Sequence, residues 1–242
     1  MTGEMWVFGY GSLMWRPGFE FVEKAPARIG GYHRAFCISS VHHRGTATRP
    51  GLVLGLDRGR SCLGLAYRVA AARKGVVLDY LRRRELVNGV YREVHLPATL
   101  LDGSHRQVFA LAYIAERYHP SYVGSLPLVT QAHQIRGARG ISGSNLDYLI
   151  STVLDLRTRG IRECELERVM ALAAPHASRM LRADLTSPVS DGVRRVVCRR
   201  GDDAKRMRPP ERRRFLYRLK VSGNDAMRPA ETTEPSARWA KT

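Results

Sequence analysis

Val7-Phe8-Gly9-Tyr10-Gly11-Ser12-Leu13-Met14-Trp15 is a short apolar run that empties into a glycine-punctuated turn. Val7 and Phe8 read as a buried strand. Gly9 and Gly11 let the backbone turn tightly and leave main-chain N–H groups uncovered, and Ser12 adds a hydroxyl. A strand ending this way can grip a carboxylate or a developing oxyanion with backbone donors. Many β-turns are rich in glycine, so the stretch gains meaning only from what surrounds it.

Working outward, apolar runs predict strands over 5–8, 32–41, 63–69, 92–97 and 108–114, with glycine and proline clustered between them, as at Arg49-Pro50-Gly51. Asp102-Gly103 reads as the hairpin turn joining the last two. A helix is predicted over 71–84, with Val76, Val77, Tyr80 and Leu81 on one face, and a shorter one over 128–135. Leu146, Leu149, Ile150, Val153 and Leu154 keep the helical period over 145–159, and Gly160 fits a stop just past the end. A fourth helix is expected over 164–173, ending at Pro175. Several strands followed by gathered helices indicate an α+β fold built on a small, mostly antiparallel sheet or barrel.

The chain has 242 residues, enough for one sizeable core, and 44% of them are apolar. No run of about 18 apolar residues is present, so no membrane span is expected. The N-terminus lacks the basic and apolar regions of a secretory signal. Cys37, Cys62, Cys164 and Cys198 stand far apart without a CxxC pair, which reads as four reduced thiols in a cytoplasmic protein. Net charge is +18, and half of it falls in 194–220, where twelve Lys/Arg face only Asp202, Asp203 and Glu211. Past Ala177 no apolar face is sustained, so the chain divides into a domain over 1–177 and a basic extension over 178–242. The last twenty residues read as disordered, and 212–220 as a short strand or helix. Nucleic-acid or anionic-membrane binding would have to rest on 194–220; a solvated basic tail is the simpler reading.

The residues that can do chemistry are few. His42-His43 point to different sides and lack an HExxH or HxH partner, so no metal site is expected. Ser12 lies in GYGSL rather than GxSxG, and neither a P-loop nor GxGxxG opening a helix occurs, so nucleotide cofactors are not indicated. That leaves a lone acid, Glu85, where the first predicted helix ends. A helix C-terminus carries partial negative charge and disfavours another anion. Burial against Leu86 and Val90 would raise its pKa toward neutrality, where a carboxyl both takes and gives protons. Of the three preceding arginines, only Arg82 or Arg84 could bend back to oppose this. The alternative for Glu85 is a solvated carboxylate paired with an arginine. Glu93 is the rival acid.

These segments together resemble the ChaC family of γ-glutamylcyclotransferases, which act on glutathione. Phe8 to Trp15 is similar to the family's N-terminal signature, and His43-Arg44-Gly45-Thr46 with Pro50-Gly51 to its second block. Arg84-Glu85 with Gly89 and Tyr91 resembles the segment that holds its catalytic glutamate. Tyr113-Ile114-Ala115, Tyr122-Val123-Gly124 and the run from Ala138 to Leu149 follow in the family's order. His119 stands where asparagine is common, Ile141 replaces a frequent proline, and the basic extension is additional.

The resemblance implies a γ-glutamylcyclotransferase-like barrel with flanking helices. It also implies cleavage of glutathione to 5-oxoproline and cysteinylglycine, with neither metal nor cofactor. Glu85 would be the general acid/base. Gly9, Tyr10, Gly11, Ser12, Leu13 and Met14 would bind the γ-glutamyl end, with Tyr113, Tyr122 and Arg34 as further contacts and Arg44 as a second candidate for a substrate carboxylate. Two alternatives stand beside this: a cyclotransferase for another γ-glutamyl peptide or amine, and an idle body that regulates through its basic extension.

Overall fold

The computed structural model describes residues 3–183; the basic segment 194–220 and the element expected over 212–220 lie outside the described residues. Five strands close into a barrel: β1 (Met5–Gly9), β2 (Glu23–Ser40), β3 (Gly51–Val69), β4 (Tyr91–Leu100) and β5 (Gln107–Ala115). Their order is β1-β3-β2-β4-β5. Neighbours in that order are antiparallel, and β5 closes the ring by pairing in parallel with β1, Val7 opposite Leu111, and with β3, Leu56 opposite Ile114. The interior is filled by Phe8, Ile29, Leu56, Tyr67, Leu100 and Leu111, all essentially without exposed surface.

β2 and β3 form one long hairpin of 18 and 19 residues, far longer than the runs predicted at 32–41 and 63–69. The glycines that read as breaks serve packing and bending instead. A Cβ on Gly64 would lie 2.3 Å from Gly9 O, so glycine lets β1 cross closely. The register slips once between Gly30 and Tyr32, where Gly31 takes a φ of 77°, and again between Phe36 and Ile38. Each slip is a bulge that sharpens the strand's twist. Gly103, at φ 97°, turns β4 into β5 as expected.

The predicted helix over 71–84 is a short 3-10 turn, Ala71–Arg73, followed by α1 (Lys74–Glu85), which buries Val77 and Leu81. Then come α2 (Leu128–Gly137), a two-residue ribbon of β6 (Arg139–Gly140) and β7 (Gly143–Ser144), α3 (Asn145–Thr158), α4 (Cys164–Ala173) and α5 (Pro175–Ala183). Ser144 caps α3, its side chain accepting from Asp147 N–H. Gly160, at φ 72°, ends it: Gly160 N–H reaches Arg157 O and Ile161 N–H reaches Leu156 O, a Schellman closure. Position 178, the expected domain boundary, falls inside α5. No helix among the described residues is long and apolar enough to cross a membrane.

Cys37 and Cys62 are buried free thiols. The expectation of reduced thiols holds for these two. Cys198 lies outside the described residues.

Candidate active site

β1 runs out at Gly9, and the chain passes through Tyr10 and Gly11 into a 3-10 turn, Ser12–Met14. A Cβ on Gly9 would sit 3.1 Å from Leu13 Cβ and 3.4 Å from the Tyr67 ring, so the turn folds back closely on the strand. Met14 N–H donates to Gly11 O, and Trp15 N–H to Ser12 O. The N–H groups of Gly11, Ser12 and Leu13 precede these bonds and take no part in them.

The carbonyl side of the same loop is held by cations and a phenol. Arg34, buried, donates through Nε to Tyr10 O and through Nη2 to Leu63 O at 2.7 Å. Its Nη1 pairs with Glu163. Arg159 Nη2 donates to Met14 O at 3.1 Å while bound to Asp155. Tyr67 hydroxyl lies 3.0 Å from Leu13 O and 3.1 Å from Met14 O. Arg84 donates to Ser12 Oγ and Arg16 O, both at 2.8 Å, and to Pro17 O at 3.2 Å. With its carbonyls engaged, the loop is left with N–H groups to offer, which suits an anionic or polarised oxygen.

This loop forms one wall of a half-open cleft of about 330 Å³, bulk solvent included. Leu54 of β3, Glu85 of α1, Tyr91 of β4, Tyr113 of β5 and Tyr148 of α3 complete it, so five elements each place one side chain there. Glu85 is the carboxylate in the lining. It is the last residue of α1, and its side chain is 16% exposed. Burial raises its pKa above the usual carboxylate value, opposed by the charge and hydrogen bond of Arg84, whose Nε lies 3.1 Å from Oε1. Both expectations for Glu85 are therefore met in part: the group is largely buried, and an arginine bends back to it.

The tyrosines stay phenols. Burial pushes Tyr10 and Tyr91 well above the usual value and Tyr148 up to about 12. Tyr10 hydroxyl donates to Tyr113 O at 2.9 Å, Tyr91 hydroxyl to Leu54 O at 2.7 Å, and Tyr113 hydroxyl to Glu93 at 3.1 Å. The cleft thus combines a carboxyl whose pKa burial raises, neutral phenols and main-chain donors. Ser12 Oγ accepts from the Arg84 cation, which is the wrong partner for activating a nucleophile.

Residues 5–174 match the ChaC-like protein family. The chain belongs to that family. A glutathione-specific γ-glutamylcyclotransferase of Escherichia coli is 37% identical over 161 residues, 66% of this chain and 69% of that protein. A human glutathione-specific γ-glutamylcyclotransferase 1 is 38% identical over 148 residues, 60% of this chain and 67% of that one. A crystal structure of a yeast γ-glutamyl cyclotransferase specific to glutathione superposes with a TM-score of 0.63 at 23% identity. It covers 72% of this chain and 99% of that one, and shows the shared fold.

In this ChaC-like chain, Tyr10, Gly11, Ser12, Leu13, Glu85 and Tyr113 come together in the cleft. Gly9 and Met14 shape its loop from beneath, and the Met14 side chain is buried. Arg34 and Tyr122 do not line it. Arg34 spends its donors on the loop's back and on Glu163, as given above. Tyr122 donates to Asp57 at 2.8 Å and packs against Cys37 and Ile38. Glu93 is also outside the lining: Arg82 grips it at 2.8 and 3.0 Å and holds its pKa below the usual value. Tyr91 and Tyr148, besides Leu54, are the lining residues that sequence reading passed over. Both lie in quoted family segments, but nothing local marks a tyrosine as lining a cleft rather than packing a core.

Proposed function

We propose that this protein is a γ-glutamylcyclotransferase that splits glutathione into 5-oxoproline and cysteinylglycine. The observation that carries this reading is the meeting of Glu85, with its raised pKa, and the donor loop Gly9–Met14 in one cleft among family motifs. Family membership and the names of its relatives support the substrate.

The substrate brings its own nucleophile. The α-amine of a γ-glutamyl group can attack the γ-carbonyl and close a five-membered ring, and holding it in that shape supplies up to roughly 7–11 kcal/mol in ideal cases. Across the reaction the α-ammonium gives up two protons and the departing nitrogen takes two. No net proton enters or leaves, so one carboxyl that relays protons is sufficient. Glu85 takes the proton from the attacking amine and returns it to the cysteinyl nitrogen, a role worth about 10²- to 10⁴-fold. The N–H groups of the loop hold the γ-glutamyl end and the oxygen that becomes negative in the tetrahedral state.

The test is turnover of glutathione by the purified chain, read as 5-oxoproline and cysteinylglycine. Wild type should form both, and Glu85→Gln, which keeps shape but cannot titrate, should fall by 10²-fold or more with unchanged circular dichroism. Full turnover by that variant would refute the mechanism. A panel of γ-glutamyl dipeptides and amines sets the substrate range; faster turnover of one of these would move the assignment away from glutathione.

A further inference from the structure

The Arg84 guanidinium touches both halves of the cleft. Its Nε meets Glu85 Oε1 at 3.1 Å, and its Nη2 meets Ser12 Oγ at 2.8 Å. Its Nη1 is shared between Arg16 O, Pro17 O and the Tyr80 hydroxyl at 2.8, 3.2 and 2.9 Å. Its side chain is only 21% exposed. Five partners on one rigid planar fork fix the group in place, and a lysine could carry the charge but not span them.

We propose that Arg84 is a positioning residue of this site: it clamps Glu85 through Oε1 at a set distance from the Ser12 turn and leaves Oε2 as the oxygen that exchanges protons. Among the described residues Oε2 has no protein partner. This rests on the function proposed above and extends it, because it assigns the proton transfer to one atom and the loop's registry to one side chain.

The clamp has two separable effects. The first is charge. The titratable groups that face Glu85 are Tyr10 after β1, Tyr91 of β4, Tyr113 of β5 and Tyr148 of α3, each raised in part by the Glu85 carboxylate. All four are phenols in the working range, and the Glu93 carboxylate behind Tyr113 is neutralised by Arg82. Arg84 is thus the cation that opposes the rise burial imposes on Glu85. The second effect is geometry. The hydrogen bonds to Ser12, Arg16 and Pro17 fix the turn against the end of α1. Displacing a substrate-holding element by about 1 Å can cost about 10²-fold in rate.

Arg84→Gln and Arg84→Lys separate the two. In Arg84→Gln, kcat/KM on glutathione should fall by about 10²-fold, with its acidic limb moved to higher pH. Arg84→Lys should return the limb toward the wild-type position while kcat/KM stays at least tenfold low. The substrate amine is the same in every assay, so a displaced limb reports the enzyme's own group. Titration of the Glu85 carboxyl by carbon-13 NMR reads the same displacement without turnover. Identical titration and identical pH profiles in wild type and Arg84→Gln would overturn the proposal, as would wild-type kcat/KM in Arg84→Lys. If Arg84→Gln does not fold, Arg84→Lys decides by that criterion alone. Wild type without activity on glutathione would instead refute the function proposed above, and the titration would still judge the clamp.

Discussion

Arg34 has no exposed side-chain surface, and its donors are taken up by Tyr10 O, Leu63 O and Glu163. Such a group organises the site without touching it. Removing it strands the Tyr10 carbonyl and a carboxylate that is three-quarters buried, and leaves Leu63 O with the weaker Cys62 thiol as donor. Arg34→Leu should therefore cost about 3–5 kcal/mol in urea unfolding. A shift below about 1 kcal/mol would show that the pair adds little. Glu85 and Glu93 make the complementary point. They lie eight residues apart, yet burial raises one and Arg82 lowers the other. Only the first lines the cleft.

The start of α3 shows how an element carries a side chain to the cleft. The β6–β7 ribbon turns the chain back, Ser144 caps the helix, and Asn145 is pinned at once. Its side chain behaves like a strand partner: Oδ1 accepts from Leu52 N–H at 2.6 Å and Nδ2 donates to Leu52 O at 2.7 Å. Leu52 sits two residues before Leu54 on β3, and Tyr148 three residues after Asn145, so this one side chain ties α3 to the cleft's opposite wall. Asn145→Leu leaves a buried N–H and a buried C=O without partners, at about 1–3 kcal/mol each. Chemical denaturation should show a loss of roughly 2–6 kcal/mol, and a neutral substitution would mean that the region relaxes to admit water.

For the whole molecule, the barrel's closure is what makes a site from distant segments. The loop after β1 and the strands β3, β4 and β5 all deliver residues to one cleft, and α1 and α3 add Glu85 and Tyr148. The same body carries carboxylates that tie its elements together. Burial raises Asp57, but hydrogen bonds from Arg117, Tyr122 and Arg58 N–H outweigh it. Burial likewise raises Glu167, and Arg157 and Arg162 outweigh it. With Glu93, held down first by its hydrogen bond from Arg82, these three have folded pKa values below those of the unfolded chain. Each therefore stabilises fully above the unfolded value and loses that contribution as pH falls through the folded one. Unfolding free energy should drop chiefly below about pH 4; urea titrations at pH 7, 5, 4 and 3 would show it, and a flat response between 4 and 3 would contradict it.

The sequence by itself determined the five barrel strands and the helices α1 to α4 at least in part, because apolar periodicity and turn chemistry are local, while the two-residue strands β6 and β7 and the helix α5 carried no such signal. It also singled out the Gly9–Met14 loop and Glu85, because their residue types in that order resemble a known family's motifs, and the fold brings Tyr10–Leu13 and Glu85 to one cleft. It misjudged the lengths of β2 and β3, since a glycine that admits a neighbouring backbone looks the same as one that breaks a strand. What only the tertiary structure decided is which charges and hydroxyls face one another. Arg34 and Tyr122 read as substrate contacts, yet long-range partners occupy them, while Tyr91 and Tyr148 reach the cleft from segments 37 and 94 residues after Leu54. Arg84 gives the same lesson at the site itself. Next to Glu85 in sequence it looked like an opponent, and the fold turns its guanidinium into the link between the acid and the loop.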